Sequence, residues 1–101
     1  MTPCLPADCR TMNEVRGGVD AVDRDLIALL ARRFDYMRAA AHIKTTREAV
    51  RDEARKAAVI AAARTEARRH RLPDTAIAEI WERLVEASIE FELAEWDRLR
   101  G

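Results

Sequence analysis

From Met12 onward, seam positions return at alternating intervals of three and four: Met12, Val15, Val19, Val22, Leu26, Leu29, Arg33, Tyr36, Ala40 and Ile43. This rhythm predicts a heptad seam along one face of one long helix. Arg33 is the charged position on that seam. A guanidinium on a buried face is costly unless an anion or a dense hydrogen-bond network compensates it, so the pattern calls for an anionic partner, side chain or ligand. Thr11 and Glu14 have capping-box spacing, which starts the helix there, and nothing interrupts it before about Lys44. At about 1.5 Å per residue such a helix is roughly 50 Å long, more than a compact monomer with a radius of gyration of about 13 Å covers. A second chain is the natural cover. The flanking row Ile27, Leu30, Phe34, Met37 and Ala41 widens the stripe and predicts packing against more than one helix.

The polar stretch Thr45 to Val50 reads as a loop, and a second helix follows from about Arg51 to His70. It is rich in alanine, and the expected inner face holds Ala54, Ala58, Ala61 or Ala62 with Val59 or Ile60. Leu72, Pro73 and Asp74 end it and restart the chain. A third helix is predicted from about Thr75 to Arg98, with Ile77, Ile80, Trp81, Leu84, Val85, Ala87, Ser88, Phe91 and Leu99 inward. Glycine and proline total six, and between Val19 and Trp96 the one breaker is Pro73. The reading is an all-α fold of three helices in a single domain, residues 1–101, with residues 1–10 as an irregular lead-in.

Charge narrows the partners. Eighteen basic residues balance eighteen acidic ones, so the broad positive field of nonspecific nucleic-acid binding is missing. No helix-turn-helix with a basic recognition helix is apparent either. The first ten residues lack the basic start and apolar run of a signal peptide, and no stretch reaches the length of a membrane span. Cys4 and Cys9 have no second pair of Cys or His at zinc spacing, which predicts plain thiols in a cytoplasmic protein and no metal.

Within this frame a few polar side chains share faces. Ser88 and Glu92 are four apart and stack on one face of the third helix. Arg33 and Lys44, eleven apart, fall within about 20° of one another around the first helix and roughly 16 Å apart along it, a spacing suited to gripping a small dianion. Arg16 is roughly 42 Å from Lys44 on a straight helix, so it joins that grip only from a partner chain packed antiparallel. Taken singly, each has an ordinary explanation. Arg33 pairs with a buried acid such as Glu92, Arg16 and Lys44 are solvated, Ser88 bonds back to its own helix, and Glu92 is an exposed acid at the stripe's edge.

The run EVRGGVDAVDRDLIALLARRFDYMRAAAHIK, residues 14–44, resembles the first helix of the all-helical chorismate mutases, a family that includes the isochorismate pyruvate-lyases. Arg16, Asp23, Arg33 and Lys44 match its motif, and the register extends over nearly the whole chain. The resemblance implies an intertwined homodimer with two active sites, each taking one arginine from the other subunit. It implies that Arg33, Arg55 and Arg16 of the partner subunit bind substrate carboxylates, and that Lys44 contacts a carboxylate and the ether oxygen. Asp52 falls near the loop residue that assists the substrate hydroxyl, and Ser88 matches a carboxylate-binding serine. Glu92 stands where many members have a glutamine that donates to the ether oxygen. Lys56 departs from the pattern, standing where mutases commonly have a hydroxyl-binding glutamate, with Glu53 as the nearest replacement.

The implied reaction, chorismate to prephenate, is an intramolecular rearrangement that uses no cofactor, metal or nucleophile. It needs a compactly held dianion and positive charge where the ether oxygen gains negative charge. Arginine forks suit the first task and Lys44 the second. Glu92 donates only in its protonated form, so the donor role expects a proton there at the working pH. Two alternatives remain. One is an isochorismate pyruvate-lyase yielding salicylate and pyruvate, towards which the RRFDYM stretch, the Asp-Cys lead-in and Lys56 lean. The other is a noncatalytic helical dimer that binds a partner or an anion.

Overall fold

The computed structural model describes residues 3–101, and every regular element among them is helical: α1 (Met12–Ile43), α2 (Glu53–Arg69) and α3 (Asp74–Arg100), with 3-10 turns at Pro6–Asp8 and Arg47–Val50. The three helices of the sequence reading are therefore present, with ends shifted by one or two residues. The chain divides into two compact units, one up to Asp35 and the other from Tyr36 to Gly101.

In the first unit, the start of α1 is fixed by its capping box. Thr11 Oγ1 accepts from the Glu14 amide at 3.1 Å, and Glu14 Oε1 accepts in return from the Thr11 amide at 3.0 Å. The same carboxylate also accepts from the Arg10 amide at 3.1 Å and from the Cys4 thiol, whose Sγ lies 2.8 Å from Oε2. The Cys4 hydrogen bond, with those of Arg10 and Thr11, holds the Glu14 carboxyl below its usual range and pushes the Cys4 thiol up. One acid thus caps the helix and tethers the lead-in.

The heptad seam itself stays in water within a single chain. Val19, Val22, Leu26 and Leu29 are each about half exposed, and Tyr36 and Ile43 more so. Of the flanking row, Ile27 is exposed, Leu30, Phe34 and Met37 are half-buried, and Ala41 is fully buried. A seam this apolar and this wet exceeds the scattered exposure of ordinary surfaces.

In the second unit, Asp52 caps α2 by accepting from the Arg55 amide at 2.9 Å. Its other end is a Schellman motif. Arg71 takes a left-handed φ of 58°, and the Leu72 and Arg71 amides bond back to the carbonyls of Ala67 and Arg68 at 2.8 and 3.1 Å. Pro73 then stops continuation and α3 begins. Ion pairs from Arg68 to Asp74 near the connection, and from Lys56 to Glu82 and Glu86 further along, make α2 and α3 an antiparallel hairpin. Val50, Val85 and Ile89 form the buried cluster, with Val59, Leu93 and Trp96 packed against it. Val50 comes from the stretch read as loop, and it is buried because the 3-10 turn folds it onto α3 while Arg47 grips Asp97 at 2.9 and 3.2 Å.

Two expectations about faces are corrected. Ala54, Ala58, Ala61 and Ala62 are exposed, and α2 instead turns Lys56, Val59, Ile60, Ala63, Arg64 and Ala67 inward. That stripe has the same three-four spacing, and its two cations fit because α3 supplies Glu82 and Glu86 to Lys56 and Asp74 to Arg64. On α3, Ile80 is exposed rather than inward.

The left-handed position at Arg71 suits glycine, which bears no Cβ penalty there. Arg71→Gly should raise unfolding stability by about 0.5–1 kcal/mol after allowing for glycine's greater freedom in the unfolded chain. Urea denaturation of the two proteins measures it, and a loss of stability would show that the Arg71 side chain contributes more than its backbone costs.

Candidate active site

Lys44 stands one residue past the end of α1, held in helical register by its amide, which donates to the Ala40 carbonyl at 2.9 Å. Its Nζ lies 2.7 Å from Oε2 of Glu92 on α3. Glu92 is 3 % exposed, so the reading of it as an exposed edge acid is overturned. At that separation the contact is a short ammonium–carboxylate ion pair. A buried carboxylate needs such a countercharge, since burying it alone would be prohibitive.

The end of α1 that carries Lys44 is fastened by α3. Trp96 Nε1 donates to the Lys44 carbonyl at 3.1 Å, and Arg100 donates to the carbonyls of Ala41 at 2.9 Å and Lys44 at 2.8 Å. The Arg100 guanidinium also lies 4.4 Å above the Trp96 ring. One turn before Glu92, Ser88 is 2 % exposed and donates its hydroxyl to the Leu84 carbonyl at 2.7 Å. Its proton is thus turned into its own helix, as in the ordinary explanation of a helical serine. Ser88, Glu92, Trp96 and Arg100 recur every four residues, a single stripe of which the sequence reading recognised the first two. The continuation at the same interval was the available signal for the others.

Arg55 and Asp52, also in the second unit, have surroundings of their own. Arg55 is exposed and lines a hollow of about 450 Å³ between α2 and α3, walled mainly by Val59, Ala63, Ala67, Ile77 and Trp81. Neither Lys44 nor Glu92 borders that hollow. Asp52 spends one carboxylate oxygen on the Arg55 amide as the α2 cap. In the first unit, Arg16 and Asp23 are exposed on α1 and Arg33 is half-buried.

Lys56 is tied into α3. Its Nζ lies 2.7 Å from Glu82 and 3.0 Å from Glu86, while Arg51 forks onto the two oxygens of Glu86 at 3.0 and 2.9 Å and reaches Glu53 at 2.8 Å. The hydrogen bonds from Arg51, then those from Lys56, hold the Glu86 carboxyl down at about 2. Glu82 first, and then Glu86, raise the Lys56 ammonium above its usual range. Lys56 therefore joins two helices, and Glu53, the expected replacement for the missing glutamate, is engaged by Arg51.

Among the described residues no group of three His, Cys, Asp or Glu converges to hold a metal, and no helix is long and apolar enough to cross a membrane. The family described as chorismate mutase type II matches residues 15–93, from the first turn of α1 to one residue past Glu92. The chain belongs to the chorismate mutase type II family. It is also 26 % identical over 96 residues to an isochorismate pyruvate lyase of Pseudomonas aeruginosa, a match covering 95 % of each chain. The matched stretch includes both Lys44 and Glu92, and also Lys56 with the acids it meets on α3.

The depressed carboxyl of Glu86 fixes a sign for acid stability. Its contribution is complete above the unfolded value of 4.5 and is lost as pH falls from there towards about 2. Glu86→Gln should lower the melting temperature at neutral pH and flatten its fall through that acid window. Parallel acid titrations followed by circular dichroism measure the difference, and identical acid limbs would show that Glu86 is not the group responsible.

Proposed function

We propose that this protein is a chorismate mutase, rearranging chorismate to prephenate by positioning and electrostatics alone. The pairing of Lys44 with the buried Glu92 carries the reading. In it, Lys44 stands where negative charge grows on the ether oxygen as the C–O bond stretches, and a cation placed there in advance stabilises the transition state more than the ground state. Arg33 is assigned to a substrate carboxylate from its register on α1, as are Arg55 and Arg16 of the partner subunit. Ser88 and Asp52 are assigned lesser contacts, Ser88 after its hydroxyl rotates away from Leu84. Glu92, ion-paired with Lys44 when no substrate is bound, is assigned to donate to the ether oxygen in its protonated form once substrate is present. The reading includes a cytoplasmic homodimer, because the half-exposed seam of α1 needs a cover and a second copy offers an equally apolar one.

A second reading is isochorismate pyruvate-lyase activity, giving salicylate and pyruvate. Lys56 favours it, since its ammonium is committed to Glu82 and Glu86 where the mutase pattern has a hydroxyl-binding glutamate. The match to the Pseudomonas aeruginosa lyase along both chains points the same way. A noncatalytic helical dimer is the weaker account, because it gives no use to a lysine paired with a buried glutamate.

Separate incubations with chorismate and isochorismate decide between these readings. Prephenate from the first supports the mutase, salicylate from the second supports the lyase, and neither product would leave the noncatalytic dimer. Arg33→Ala is expected to lose about a thousandfold or more in turnover, since misplacing the substrate forfeits most of the benefit of orientation. A folded variant with near-normal turnover would remove Arg33 from the site. Glu92→Gln, whose amide donates without needing a proton, should stay within about tenfold of the parent, while Glu92→Ala falls further. Leu26→Asp, which places charge on the seam, should shift the protein to monomer in sedimentation and abolish turnover.

A further inference from the structure

Arg100 ends α3, a place where helical residues ordinarily fray into solvent. Here its guanidinium makes two short hydrogen bonds to another helix: Nη1 to the Ala41 carbonyl at 2.9 Å and Nη2 to the Lys44 carbonyl at 2.8 Å, with the His42 carbonyl at 3.5 Å from Nη2. These carbonyls belong to the last turn of α1 and the residue after it, where no further turn supplies donors and the helix dipole presents its negative end. A planar fork with several donors bridges such carbonyls, whereas a lysine ammonium acts as a single point. The fork is itself immobilised. It stacks on Trp96 at 4.4 Å, Trp96 donates to the same Lys44 carbonyl at 3.1 Å, and Trp96 packs on the Val50, Val85 and Ile89 core. A continuous path of contacts thus runs from the core to the backbone of Lys44, whose ammonium faces Glu92 at 2.7 Å.

We propose that Arg100 is a positioning residue: clamping the carbonyl end of α1 fixes where the Lys44 ammonium stands in the site. The inference rests on the reading of Lys44 as the residue that meets the substrate. Glu92, Trp96 and Arg100, successive at intervals of four on α3, then have separate tasks at one helix end. Glu92 faces the ammonium, Trp96 anchors the backbone to the core, and Arg100 closes the remaining carbonyls. Arg100 needs no substrate contact to act. Its removal lets the last turn of α1 fray, and a displacement near 1 Å at a charge used in the transition state is enough to cost turnover.

The test is a double-mutant cycle in the full-length protein, using whichever of chorismate or isochorismate the parent turns over. Arg100→Ala should lower kcat about ten- to hundredfold with KM changed by less than about threefold, and Arg100→Lys should fall between it and the parent. In a Lys44→Gln background, adding Arg100→Ala should cost less than about twofold, because a residue acting through Lys44 has nothing left to position. Equal losses in both backgrounds, or an unchanged kcat in a folded Arg100→Ala protein, would overturn the proposal. Amide hydrogen exchange provides a readout independent of catalysis. Arg100→Ala should speed exchange at Ile43 and Lys44 by about tenfold relative to the α3 core, and unchanged protection there would refute the clamp. If the parent converts neither substrate, the functional reading fails by itself and exchange alone decides the clamp. If Arg100→Ala does not fold, Arg100→Lys carries both measurements.

Discussion

The unit from Tyr36 to Gly101 is organised around the carbonyl end of α1. The last turn of a 32-residue helix leaves carbonyls without intrahelical donors at the pole where its dipole is negative. Arg100 and Trp96 answer that demand, and the answer determines much else. Satisfying those carbonyls brings the end of α3 against the end of α1, which places Glu92 beside Lys44 and seats Trp96 on the core. The 3-10 turn from Arg47 to Val50 then has a fixed start, and Arg47 on Asp97 with buried Val50 holds it down. A requirement of backbone hydrogen bonding thus locates the Lys44–Glu92 ion pair.

The ion pairs of the α2–α3 hairpin serve a different purpose. Lys56 and Arg64 lie on the inner stripe of α2, and α3 presents acids opposite both. Partly exposed pairs of this kind add little to stability singly. They do fix the rotation of α2, because its alternative face of alanines carries no charge to match α3. That choice turns Lys56 onto Glu82 and Glu86 and leaves Arg55, one position along, lining the hollow between the helices.

The helices were legible from spacing and breakers because those signals are local. Thr11 with Glu14, and Pro73 with the polar run before Arg51, mark boundaries that the backbone obeys within a residue or two. The buried state of Glu92 was legible only as a polar exception on an apolar stripe. The inner face of α2 is not legible in the sequence, because alanine spacing fits two rotations of the helix and the deciding partners are on α3. Trp96 and Arg100 are marked in the sequence by the four-residue interval from Glu92 alone, because their acceptors are carbonyls of another helix, and every residue has a carbonyl. No side-chain pattern identifies which of them lack donors until the tertiary arrangement is known. The family resemblance supplied the chemistry that spacing alone left as a generic anion grip, and it gave no account of how Lys44 is held.

The wet seam of α1 has a consequence for the free energy of the folded state. With Val19, Val22, Leu26 and Leu29 each about half in water, the isolated chain forgoes part of the apolar burial that normally offsets the entropy of ordering a helix this long. Whatever covers that seam supplies the deficit, and if the cover is another copy, folding becomes a reaction of higher order in protein. Dilution then acts on this molecule as a mild denaturant, and its stability has no single value apart from its concentration.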